Sequence, residues 1–141
     1  MTTLPGNGPS LAEIETMAAR AVRQLPEVFA AHLGDVIVQV EDFADRELLD
    51  KLGIDDPIRL SGVYEGVPLH VRSISDSGRL PDRIRLFRQP ILAEWRARGG
   101  LSVERLVWHV LVHEVGHHFG LTDETMHALE DEAAAEQIET P

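Results

Sequence analysis

The run His113-Glu114-Val115-Gly116-His117-His118-Phe119-Gly120-Leu121-Thr122-Asp123 opens with the pattern H-E-x-x-H. On an α-helix the two histidines at its ends are one turn apart and project from the same face. Two imidazoles so placed can bind one Zn²⁺, each through a single ring nitrogen at about 2.0–2.1 Å. Glu114 is adjacent to the first histidine, where a carboxylate can act on a water without itself occupying the metal. Gly120 lets the chain leave the helix, because glycine takes the left-handed conformation at little cost. The reversal can return Asp123 as a third, oxygen ligand. Three protein ligands and one water make the open arrangement of a catalytic zinc site.

A lone H-E-x-x-H match occurs by chance on polar helices. Here the preceding residues, Leu106, Val107, Val110, Leu111 and Val115, are apolar around much of a helix. Such a helix is buried, and it holds its histidines on a rigid support. Ser102 stands where an N-cap is needed and Glu104 falls in the first turn, where a negative charge suits the helix dipole.

The extended motif H-E-x-x-H-x-x-G-x-x-D resembles that of the zincin metallopeptidases. Together with Gly62-Val63-Tyr64-Glu65-Gly66-Val67-Pro68-Leu69 and Arg83-Ile84-Arg85-Leu86-Phe87-Arg88-Gln89-Pro90-Ile91, it is similar to the small bacterial zincin-like metallopeptidase family, over roughly Leu11 to Leu129. The resemblance implies an α+β, minimal zincin-like fold: a small mixed sheet with an edge strand, packed on helices that include the buried H-E-x-x-H helix. It implies His113, His117 and Asp123 as metal ligands, Glu114 as catalytic base, Zn²⁺ as cofactor and a peptide or protein as substrate.

The 141 residues suit one domain with one core. We expect a flexible N-terminus over residues 1–9, the domain over 10–135 and an acidic tail over 136–141. There are no cysteines, so disulfides and thiolate ligands are excluded and histidines and carboxylates must do any metal binding. No apolar run approaches a membrane span. Met1 to Ser10 has neither a charged start nor an apolar stretch, which makes a cytoplasmic location the expectation. The net charge of −11 argues against nucleic acid as a partner, since phosphate binding needs clustered cations. The charge is uneven. Arg79, Arg83, Arg85, Arg88, Arg96 and Arg98 crowd one region and Glu130, Asp131, Glu132, Glu136 and Glu139 fill the tail, as a solvated face and a solubilising tail would, or as a side that meets an acidic peptide segment.

In chain order, Ser10 and Glu13 form a capping box that opens a helix over 11–24. Pro26 breaks it and a short helix follows over 27–33. Val36-Ile37-Val38-Gln39-Val40 is nearly continuous in apolar character and reads as a strand buried on both faces, hence central. Phe43 to Leu52 is weakly helical and ends at Gly53, and Asp55-Asp56-Pro57 is a turn. Leu60 to Val71 reads as a strand or hairpin, in which Tyr64 is a packed aromatic or a donor to a developing oxyanion. Ser73 to Pro81 is a loop. Arg83-Ile84-Arg85-Leu86-Phe87 alternates charged and apolar residues, giving one buried and one wet face. It is either the edge strand that takes up substrate or a plain scaffold strand. Gln89-Pro90 opens a helix to Arg98 with proline in first position, Gly99-Gly100 ends it, and Thr122 caps a last helix over 123–135.

His109 lies four residues before His113, but the ends of the row His109–His117 are about 12 Å apart at 1.5 Å per residue. One ion cannot take all three, and His109 reads as a supporting or packed residue. His118 points about 100° from His117, and His32 and His70 have no visible partner. His127 and Glu130 lie one and two turns past Asp123 and are alternatives to it as third ligand. Met126 reads as packing rather than as the methionine beneath a metzincin metal. Two histidines and a carboxylate also suit iron or manganese. Beside a zinc-dependent peptidase, the residues are compatible with a metal-bearing binding or regulatory module and with hydrolysis of a non-peptide amide.

Overall fold

A computed structural model of the chain describes residues 8–30, 36–66 and 82–120. Ser10 and Glu13 cap the first helix reciprocally: Glu13 N donates to Ser10 Oγ at 3.1 Å, and Ser10 N donates to Glu13 Oε1 at 2.8 Å. That helix, α1, spans Leu11–Gln24 and buries Ile14, Ala18 and Ala21 along one stripe. The short α2 (Glu27–Ala30) follows Pro26. Strand β1 (Ile37–Glu41) leads to α3 (Arg46–Leu52), which is capped by the Asp45 side chain and closed by Gly53 at φ 72°. Asp56 accepts from Ile58 N and starts a single 3₁₀ turn, Pro57–Arg59, where the sequence reads as a simple turn. Strands β2 (Gly62–Glu65) and β3 (Arg83–Phe87) come next, then α4 (Arg88–Arg98) and α5 (Val103–Phe119). No helix among the described residues is long and apolar enough to cross a membrane.

The sheet order is β1-β3-β2, with β1 parallel and β2 antiparallel to β3. The register sets Val38 and Tyr64 on either side of Ile84. This mixed sheet with helices is the expected α+β architecture, but two strands exchange places relative to the sequence reading. Arg83–Phe87 is the central strand, with neighbours on both sides, and not an edge. The first strand has β3 as its one partner among the described residues and leaves Ile37 exposed on its outer face.

Alternation explains the exchange. Ile84 and Leu86 face the helices and are fully buried with Ile14, Ile91, Leu106, Val107, Trp108, Leu111 and Val115. Val38 and Val40 of β1, with Val36 just before it, pack against that same cluster, while Ile37, Gln39 and Glu41 point away. Arg85 and Phe87, on the other face of β3, are covered too. Phe87 packs with Ala44, Leu48 and Leu49 beneath α3. The Arg85 guanidinium lies 5.4 Å from the Phe87 ring centroid and meets three carboxylates. It grips Glu41 through Nε (3.1 Å) and Nη2 (2.8 Å), Asp45 through Nη2 (2.9 Å) and Glu65 through Nη1 (3.0 Å). A charge inside the sheet face is tolerable only when paired in this way.

Strand β3 passes into α4 with no intervening residue, Phe87 serving as the N-cap without a side-chain bond. The amides at this junction are stitched to both flanks of the sheet: Phe87 N donates to Ser61 O (2.8 Å) and Gln89 N to Asp42 O (3.1 Å). Pro90 is the third helical residue, not the first. Its missing N–H is still harmless, since first-turn amides have no intrahelical acceptor.

The proposed helix over 123–135, the tail, residues 1–7, the second half of the Leu60–Val71 segment and the loop to Pro81 lie outside the described residues, as do His32, His70, Asp123, Met126, His127, Glu130 and the His118 side chain.

Candidate active site

Helix α5 carries the site. Ser102 Oγ accepts from Arg105 N at 3.1 Å to start it, and Gly120, at φ 71°, ends it with its N–H on the carbonyls of Gly116 and His117. Val103, Leu106, Val107, Trp108, Leu111, Val112 and Val115 are buried, so the helix is anchored along most of its length. His109 and His113 are half-buried and His117 is exposed. The apolar body thus fixes the direction in which the histidine row points.

The structure brings His113, Glu114 and His117 together. One ligand atom from each lies within 4.8 Å of the others. The two rings are 4.7 Å apart and inclined at 67°. Tetrahedral zinc ligands at 2.0–2.1 Å are about 3.4 Å apart, so rotation of the two imidazoles would bring their nitrogens onto one ion, with Glu114 beside it. His117 Nδ1 lies 3.1 Å from Glu114 Oε1, a contact that uses one ring nitrogen and leaves Nε2 for a metal. Two imidazoles one turn apart with nitrogen free to ligate fit a zinc, iron or manganese ion; a thiolate-seeking metal would find nothing here.

Glu114 is 5% exposed. Burial pushes its carboxyl up from 4.5 to about 7, against the opposing pull of nearby His113 and of the Tyr64 backbone N–H, which donates to it. A buried carboxyl with raised proton affinity beside two imidazoles marks a candidate general base. His113 and Glu114 open into a cleft of about 530 Å³, walled by Arg59 to Gly62, by Glu94 and Arg98 of α4, and by Leu106, His109 and Val110 of α5. His109 therefore lines the approach to the site instead of packing in the core.

Strand β2 is the other wall. Its Gly62 lies so close to α5 that an added Cβ would be 2.8 Å from Val110 Cγ1 and 3.3 Å from Arg85 O. Only a residue without a side chain lets β2 approach until the Tyr64 amide meets Glu114. The Tyr64 hydroxyl donates to Asp82 Oδ2 at 2.6 Å, so it is engaged at the base of β3 and is not a donor aimed at substrate. Asp82 itself is 1% exposed and fills the space a Cβ on Gly66 would need. Sequence reasoning missed Asp82 and the closeness of Gly62. Neither has a local signal, since Asp82 meets Tyr64 across eighteen residues of chain.

The sequence model of the zincin-like metallopeptidase family matches residues 33–133, more than half of the 141-residue chain. No curated protein matches it. A match of that extent, on a chain whose helix presents the His-Glu-His cluster beside a mixed sheet, decides the assignment: the chain belongs to the zincin-like metallopeptidase family.

Proposed function

We propose that the chain is a zinc-dependent peptidase in which His113, His117 and Asp123 hold the metal and Glu114 is the general base. The observation that carries this is a nearly buried carboxylate clustered with two imidazoles one helical turn apart, with His113 and Glu114 opening into a cleft. When bound, zinc supplies Lewis acidity, polarising a carbonyl and lowering the pKa of water towards about 7. Glu114 accepts the proton of the attacking water and returns it to the departing amine. Burial raises the proton affinity of this carboxyl, which favours its taking up the water's proton. The buried body of α5 holds that carboxylate in place, and the Tyr64 amide steadies it from the side of β2.

The rival reading, a metal-bearing binding module without hydrolysis, draws on the contact of Glu114 Oε1 with His117 Nδ1. There the carboxylate would serve only to orient a ligand ring. Metal analysis and peptide-pool cleavage by the wild type, Glu114→Gln and His113→Ala separate the two. The peptidase reading expects metal retained and cleavage lost in Glu114→Gln, and metal lost in His113→Ala. Turnover by metal-loaded Glu114→Gln would remove Glu114 from its role. A zinc-loaded wild type inert on every pool would favour the binding module.

A further inference from the structure

The chain carries 24 acidic against 13 basic residues, yet among the described residues the cleft lining reverses that balance. The described lining holds two arginines, Arg59 and Arg98, and one acidic residue outside the His-Glu cluster, Glu94. Arg98 Nη1 is 3.1 Å from Glu94 Oε2, an i,i+4 pair with both side chains about half exposed, so these two charges largely offset each other. Arg59 ends the 3₁₀ turn that packs on α4, and among the described residues it carries no ion pair. Leu60, Leu106 and Val110 are the apolar members of the same lining.

We propose that the cleft is a specificity subsite for peptides bearing an acidic side chain, with Arg59 as its anchor and Arg98 as a second donor that turns from Glu94 to the incoming carboxylate. Arginine suits this because its planar fork pairs a carboxylate in two-point fashion. The apolar members of the lining receive the methylenes of the same side chain. The proposal takes from the peptidase reading only that the ligand is a peptide.

The test uses the full chain in chelator, so that binding is measured without turnover. Three fluorescent peptide pools, randomised except for one central Asp, Asn or Lys, are compared by anisotropy. We expect the Asp pool to bind most tightly and the Lys pool least. Arg59→Ala should weaken Asp-pool binding about fivefold, the effect of one partly exposed charge pair, and Arg59→Ala/Arg98→Ala should remove the preference. Added salt should narrow the gap between pools. Arg23→Ala, which removes an exposed charge outside the cleft, should leave the ranking intact. Equal binding of the three pools, no binding of any, or an unchanged ranking in the double variant would overturn the subsite. Cleavage of the same pools with zinc restored answers a separate question. Charge-selective binding without cleavage would sink the peptidase reading and keep the subsite; cleavage without charge preference would do the reverse.

Discussion

Replacing Glu114 with glutamine should stabilise the metal-free protein above about pH 4.5, by an amount that grows until about pH 7 and is constant beyond. Burial raises the Glu114 carboxyl from 4.5 in the unfolded chain to about 7 in the folded one. Between those values the folded protein keeps the proton that the unfolded chain has released, so stability declines as pH rises through that interval. Above both values the accumulated loss is about 3 kcal/mol, at 1.36 kcal/mol for each tenfold change in proton affinity. Glutamine has no proton to lose and can still accept from His117 Nδ1 through its amide oxygen. The variant should therefore exceed the wild type by about 2–3 kcal/mol near pH 8 and match it within about 1 kcal/mol below pH 4.5, where Glu114 is neutral in both states. Urea unfolding in chelator across this range, with every other titrating group common to both proteins, isolates the difference. Parallel stability curves with a constant offset would refute the reasoning, since they would mean that Glu114 titrates alike folded and unfolded.

Zinc should raise the wild-type melting temperature with a concentration dependence, about 2.7 kcal/mol at a hundredfold excess over the dissociation constant, and His113→Ala should show no such rise by calorimetry. Arg85→Ala should cost about 2–4 kcal/mol near neutral pH, below the full penalty of a buried pair because its carboxylate partners are 30–54% exposed. Arg85 and the Leu48 amide hold the Asp45 carboxyl below its ordinary value, so that contribution is present above the ordinary value and lost as pH falls through the folded one. The gap between Arg85→Ala and the wild type should accordingly narrow in acid, as followed by urea unfolding. Gly62→Ala should slow peptide hydrolysis and lower stability by about 1–3 kcal/mol through overpacking. Adding Val110→Ala, which removes the methyl 2.8 Å from the new Cβ, should recover part of both; no recovery would mean that β2 is not set by this contact.

Local chemistry made much of this fold readable. The Ser10–Glu13 box, Gly53, Ser102 and Gly120 each act within a few residues of chain, and each does what its type predicts. The row His113–His117 was legible for the same reason, since helical spacing fixes a shared face. The strand order was not. Alternation in Arg83–Phe87 correctly separates two faces, but it does not say that the arginine face is wet. Here that face is covered by α3 with its Asp45 cap and by carboxylates from β1 and β2, all distant in sequence. The first strand misleads in the opposite sense: Ile37 extends its apolar run yet points away from the core, with no described element covering that face of the strand there. Asp82 and Gly62 matter through packing between elements, and periodicity carries no information about that.

The junction of β3 and α4 has no slack. A helix that begins on the last residue of a strand, with one amide tied to each flank of the sheet, is a cantilever clamped at its root. Its far end, about 16 Å away at 1.5 Å per residue, carries Arg98, with Glu94 one turn before it. Any shear between the strands is delivered along this beam to the rim, and an extra residue spliced in at Phe87 would swing Arg98 about 100° around the helix axis. Loop insertions elsewhere are absorbed by solvent; one here would re-aim the rim while leaving every strand pair intact.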